Sequence, residues 1–165
     1  MRVMGVDPGL TRTGFGVVEQ RGGSLRALAV GTIRADKAQP APVQLLNLCL
    51  ALERVMEEHT PDAVAVERLF FNRNVQTALR VGQASGVALL AAAESGLPVF
   101  EYTPTAVKQA VTGVGNATKE QVQFMVRRLV KLDADPDSPD AADALALAIC
   151  HAHVGRSLAR MEAAT

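Results

Sequence analysis

Several things are scarce in this chain of 165 residues, and each scarcity narrows its function. Its longest apolar stretches, such as residues 86–93, fall far short of the roughly 18 residues a membrane helix needs. The opening Met1-Arg2-Val3-Met4 lacks the apolar segment of a signal peptide, which places the chain in the cytoplasm with no membrane partner. Only two cysteines occur, Cys49 and Cys150, both in apolar helix-like surroundings with no histidine or cysteine at zinc-ligand spacing. They read as buried thiols rather than a disulfide or a zinc site. There is no internal repeat and no interdomain linker, so residues 1–165 are expected to form a single domain. Residues 35–42 and the tail at 156–165 look loose.

Net charge is also missing, with seventeen Lys and Arg against seventeen Asp and Glu. Taken whole, that balance speaks against a nucleic-acid partner. Its distribution does not. Between Arg68 and Lys131 eight basic residues stand against three acidic ones, Glu94, Glu101 and Glu120. Acid collects just beyond, with Asp133, Asp135, Asp137, Asp140 and Asp143 inside eleven residues.

What the chain does contain is an α/β pattern. Residues 2–6 read as a short strand that ends at Asp7, because Pro8-Gly9 cannot continue a ladder. Two further strands, 13–19 and 25–33, are joined across the turn Arg21-Gly22-Gly23-Ser24. Apolar residues at helical spacing over 43–59 predict an amphipathic helix. The β-branched run 62–67 predicts a buried strand with Glu67 at its exit. A helix over 75–95 is stopped by Gly96, and a strand follows at 97–102. Helices over 105–111 and 119–132 come next, then a last helix opening at Ser138-Pro139-Asp140. The expected fold is thus a mixed five-stranded sheet, three antiparallel strands followed by two parallel ones, flanked by helices.

Four acids sit at the ends of these elements. Asp7 and Glu67 close strands that should be central, and in α/β sheets sites collect at the carboxyl edge. Asp140 and Asp143 share one face of a helix's first turn, where free N–H groups favour their ionised forms. Singly, each has an ordinary role open to it: a turn former before Pro-Gly, a surface strand end, a helix cap. Jointly, carboxylates brought together repel, and the usual remedies are a shared proton or a divalent cation. All-oxygen ligands point to magnesium, with manganese as a substitute. A pair of such ions about 4 Å apart can clamp the attacking and leaving oxygens of a phosphodiester.

The ordered set Gly5-Val6-Asp7-Pro8-Gly9, Thr13-Gly14-Phe15-Gly16, Val66-Glu67-Arg68-Leu69-Phe70, Gly82-Gln83-Ala84-Ser85-Gly86-Val87, Val107-Lys108-Gln109 and Asp140-Ala141-Ala142-Asp143-Ala144-Leu145-Ala146 closely resembles the RuvC family of Holliday-junction resolvases. These motifs cover nearly the whole chain. The resemblance implies a ribonuclease H-like fold and a homodimer. It further implies magnesium-dependent nicking of two like-polarity strands of four-way junction DNA in recombination and repair, leaving 5′-phosphates and 3′-hydroxyls. Asp7, Glu67, Asp140 and Asp143 would be the catalytic carboxylates and would bind two ions per site. Asp7 would bridge them, Glu67 and Asp143 would flank them, and Asp140 would act as a ligand or a water-orienting base.

The same resemblance puts Lys108 and Lys119 near the scissile phosphate, where an ammonium stabilises developing charge. It matches Phe70 to a residue that contacts bases near the cut, with Phe71 as its neighbour. The surrounding Arg68-Leu69-Phe70-Phe71-Asn72-Arg73-Asn74 interleaves aromatics with cations, as loops that stack unpaired bases do. Arg73, Asn74 and Arg80 are expected to bind DNA, the arginines together with Arg127 and Arg128 through the backbone. The RuvA-RuvB branch-migration complex, a tetrameric junction binder with a hexameric motor, would be a partner. In the helix from Val75, the stripe Ala78, Gly82 and Gly86 suits either a second copy or the chain's own sheet. His151 and His153 read as structural. The Asp7-to-Gly14 spacing also resembles the phosphate hairpin of sugar kinases and actin-like ATPases, but 165 residues supply only one of the two domains those enzymes close over ATP.

Overall fold

The computed structural model describes residues 1–9, 11–68 and 74–162, with side chains as far as residue 155. Five strands, β1 (Arg2–Asp7), β2 (Arg12–Arg21), β3 (Ser24–Arg34), β4 (Ala63–Glu67) and β5 (Val99–Tyr102), form one sheet in the order β3-β2-β1-β4-β5. The β1, β2 and β3 ladders are antiparallel, whereas β1–β4 and β4–β5 are parallel. Five helices complete the chain: α1 (Ala41–His59), α2 (Val75–Glu94), α3 (Pro104–Thr112), α4 (Lys119–Val130) and α5 (Pro139–Glu162). This is the mixed sheet read from the sequence.

Alternation along the central strands divides the interior in two. On β1, Val3 faces a core made with α3, α4 and α5, while Met4 and Val6 face one made with α1 and α2. The parallel neighbour repeats the split, Ala65 to the first core and Val64 and Val66 to the second. Both strands are therefore buried on both faces, which is why they read as continuous apolar runs.

Glycine sets how closely α5 lies on the sheet. A Cβ at Gly5 would strike the Ala144 carbonyl, and one at Gly14 would strike the Asp140 carbonyl. Backbone thus meets backbone at the helix's first turns. Ser138 caps that helix, its hydroxyl accepting the Ala141 N–H at 3.1 Å, and also bonds Thr32 of β3. With the cap supplied by Ser138, Asp140 is released from that role.

Element ends differ modestly from the sequence reading. Helix α1 starts two residues earlier, with Pro42 in its first turn, where proline costs no hydrogen bond. Helix α4 stops at Val130 because Lys131 takes a left-handed conformation at φ 55°. The backbone of α5 stays helical to Glu162, past the point where looseness was expected, since its run Ser157 to Glu162 contains no breaker.

Candidate active site

The carboxyl ends of β1 and β4 lie side by side because the two strands are parallel neighbours, Val6 pairing with Val66. Asp7 and Glu67 are the next residues on each strand. The close seat of α5 brings its first turns over the same edge. Asp7, Glu67 and Asp143 accordingly line one cavity of about 220 Å³, together with Lys108 of α3 and Lys119 of α4. Its remaining walls are apolar and include Val107, Val122 and Leu147. Asp140, one turn nearer the helix start, lies at the margin.

The electrostatics record the crowding. Burial, followed by the charges of Asp143, Glu67 and Asp140, pushes the Asp7 carboxyl up to about 7. Burial and Asp143 likewise raise Glu67. Among the described residues, none donates a hydrogen bond to the Asp7 carboxylate.

Two cations answer part of this repulsion. The Lys119 ammonium donates to Asp143 Oδ2 at 2.9 Å, and that bond raises its own pKa. Arg12 Nε lies 3.1 Å from Asp140 Oδ2. The latter contact is an ion pair without hydrogen-bond geometry, and that buried oxygen has no hydrogen-bond partner. No three of the four acids bring ligand atoms within 4.8 Å of one another. Among the described residues, the group with three ligand atoms all within 4.8 Å is Cys49, Glu53 and Glu94, remote from this edge.

The donor set nevertheless suits a hard dication. It is all carboxylate oxygen, one member has its pKa raised to about 7 by burial and then by its acidic neighbours, and another keeps an orphaned oxygen. Arg12 was not singled out in the sequence. The available signal was its place at the start of β2, whose antiparallel register sets Asp7 opposite Gly14.

Phe70, Phe71 and Arg73 lie outside the described residues. Asn74 caps α2, its Oδ1 accepting the Thr77 N–H at 3.2 Å. A helix start preceded by asparagine is a capping signal that was legible beforehand. Arg80 lines a separate cleft of about 590 Å³, bounded by the β1–β2 connection, the β3–α1 connection, α1 and α2. His151 is buried and bonded to the Tyr102 hydroxyl at 2.7 Å, and both cysteines are free thiols.

Comparison with known proteins identifies the family. The sequence model of the family described as "Crossover junction endodeoxyribonuclease RuvC" matches residues 3–151. A relative bearing that description from Chloroflexus aggregans is 54% identical over 160 residues, covering 97% of this chain and 98% of its own. One from Brevibacillus brevis is 49% identical over 152 residues, covering 92% of each. Thermus thermophilus RuvC superposes with a TM-score of 0.87 at 41% identity, covering 95% of this chain and 96% of that one. The same protein in complex with a Holliday junction substrate reaches 0.90 at 40% identity with the same coverage. By both sequence and structure, the chain belongs to the RuvC family of crossover junction endodeoxyribonucleases.

Proposed function

We propose that the protein resolves four-way DNA junctions by hydrolysing one phosphodiester in each of two opposed strands. The observation that carries this reading is the cavity in which Asp7, crowded by other carboxylates, faces two lysines. A relative with that family's name has been solved with a Holliday junction substrate, and its fold superposes along nearly this whole chain.

Asp7, Glu67, Asp143 and Asp140 would hold magnesium, or manganese in its place, with two ions per site as the stoichiometry to test. Bound there, such ions supply Lewis-acid polarisation of the phosphoryl oxygens. The chain's own part is to position and to neutralise. Lys108 is an ammonium already facing the cavity, and Lys119 can exchange its bond to Asp143 for one to a substrate phosphate. Both would oppose the charge that grows on the phosphoryl group as water attacks phosphorus. Asp140 would orient that water or join the ligands. The P–O3′ bond breaks, leaving a 5′-phosphate on one fragment and a 3′-hydroxyl on the other. Apolar walls at Val107, Val122 and Leu147 limit competing water.

Paired cuts require paired sites, and a twofold dimer provides them. Helix α2 supports that reading. Added Cβ atoms at Gly82 and Gly86 would meet nothing within 4 Å, so the stripe is not filled by the chain's own sheet. Val75, Leu79 and Leu90 on the same helix are 68%, 63% and 52% exposed. Such a face suits a second copy. The partnership with the RuvA-RuvB branch-migration complex and a cytoplasmic setting belong to the same proposal. Among the described residues no helix is long and apolar enough to cross a membrane.

The test compares synthetic junction, flap, duplex and RNA–DNA hybrid with magnesium and no nucleotide. Symmetric nicking of the junction alone is expected, and Asp7→Asn should bind it without cutting. Equal cutting of all four substrates, or cutting only when ATP is added, would overturn the reading.

A further inference from the structure

A second cavity, larger than the one that holds the acids, lies elsewhere on the molecule. It is the cleft of about 590 Å³, and its charged lining is Arg12, Arg34, Lys37 and Arg80 against a single acid, Asp36. That acid is partly engaged by its own loop, since its Oδ1 accepts the Ala38 N–H at 2.9 Å. Arg34, Lys37 and Arg80 have no ion-pair partner among the described residues. Arg12 and Arg34 are also direct cross-strand partners at the open end of the β2–β3 ladder. Like charges placed directly opposite destabilise a sheet, and here only Arg12 has a carboxylate to offset it. Amide side chains of Gln39 and Asn47 line the same wall, and Gln44 Nε2 there donates to the Gln39 carbonyl at 2.7 Å. The lining thus carries more cationic than anionic groups, as an anion site does.

We propose that this cleft binds a backbone phosphate of a junction arm, outside the scissile position, with Arg34, Lys37 and Arg80 as its ligands. The inference rests on the junction reading given above. Arg12 joins the two regions, because it lines the cleft while its Nε lies 3.1 Å from Asp140 Oδ2. A phosphate seated in the cleft competes with Asp140 for the Arg12 guanidinium and so frees the carboxylate for the reaction. Arg12 is thus a positioning residue.

The proposal is tested by junction binding with EDTA present, titrated against salt, for the wild type and for Arg34→Ala combined with Lys37→Ala. Each lost phosphate contact makes the slope of log affinity on log salt shallower by ~0.9, so the double variant should lose about 0.9 for each subunit that engages the junction. Junctions carrying single neutral methylphosphonates locate the contact. The wild type should lose affinity at discrete positions away from the cut, and the double variant should be indifferent to substitution at those positions. Arg34→Lys with Lys37→Arg should restore the wild-type pattern.

An unchanged salt slope, or a double variant as sensitive as the wild type at every position, would overturn the inference while leaving the junction reading intact. Pyrophosphate displacing junction more strongly than chloride at equal ionic strength would reassign the cleft to a free anion and equally overturn it. A wild type that binds no junction at all would remove both.

Discussion

The two faces of the sheet are built from similar residues and do different work. On one, α5 is pressed so close that helix and strand touch through backbone at Gly5 and Gly14, and that contact delivers Asp140 and Asp143 to the strand ends. On the other, α2 packs through small side chains, Ala84, Ala88, Ala91 and Ala92, yet keeps Leu79 and Leu90 in solvent. Close approach gathers carboxylates on the first face. On the second, the same economy of side chain leaves an outer surface smooth enough for a second subunit. A glycine's neighbours, rather than its presence, therefore decide what it is for.

The largest effect expected concerns the crowded face. Asp7 titrates near 7 in the folded chain, against about 4 when unfolded, so the folded state takes up a proton the unfolded state lacks between those values. Without divalent cations, stability should rise as pH falls from about 7 to about 4 and be lowest above pH 7. Asp7→Asn should accordingly stabilise the protein in EDTA at pH 8, by up to about 4 kcal/mol, and hardly at all at pH 4. Melting temperatures at the two pH values decide this, and equal shifts would mean the acids are not mutually strained.

Next in size is Gly14→Val, which should cost about 3 kcal/mol in denaturant unfolding because the obstacle is the Asp140 carbonyl rather than a side chain that can move. Lys119→Ala should lower kcat by roughly 10²-fold, about 2.7 kcal/mol, with a smaller change in junction affinity. A fall in affinity alone would reduce Lys119 to a binding residue.

The smallest expected effect on folding is the sharpest on the contrast. Gly82→Glu should change subunit stability by under about 1 kcal/mol, since the position is open. It should nevertheless halve the mass in sedimentation and convert paired nicks into single ones. An unaltered mass would move the interface elsewhere.

Much of this was legible in the sequence, for physical reasons. Strand ends at Asp7 and Glu67 are marked by Pro-Gly and by the break in an apolar run, and the period of 3.6 finds the helices. The pairings of Asp140 with Arg12 and of Asp143 with Lys119 were not, because each joins elements more than twenty residues apart whose contact depends on register and on the seat of α5. Nor was the basic cleft, since Arg12, Arg34 and Lys37 are unremarkable until the β2–β3 ladder sets two of them face to face. The cap that Asn74 provides for α2 was legible too, from an asparagine standing just before a helical run.

Where main chain rests on main chain, no rotamer remains to be adjusted. The separation between the acids of β1 and those of α5 is consequently a property of the fold's framework, beyond the reach of ordinary repacking. Anyone wishing to tune this centre for a larger ion or a different bond would have to alter what surrounds the carboxylates, such as Arg12 and Lys119, and leave their spacing alone.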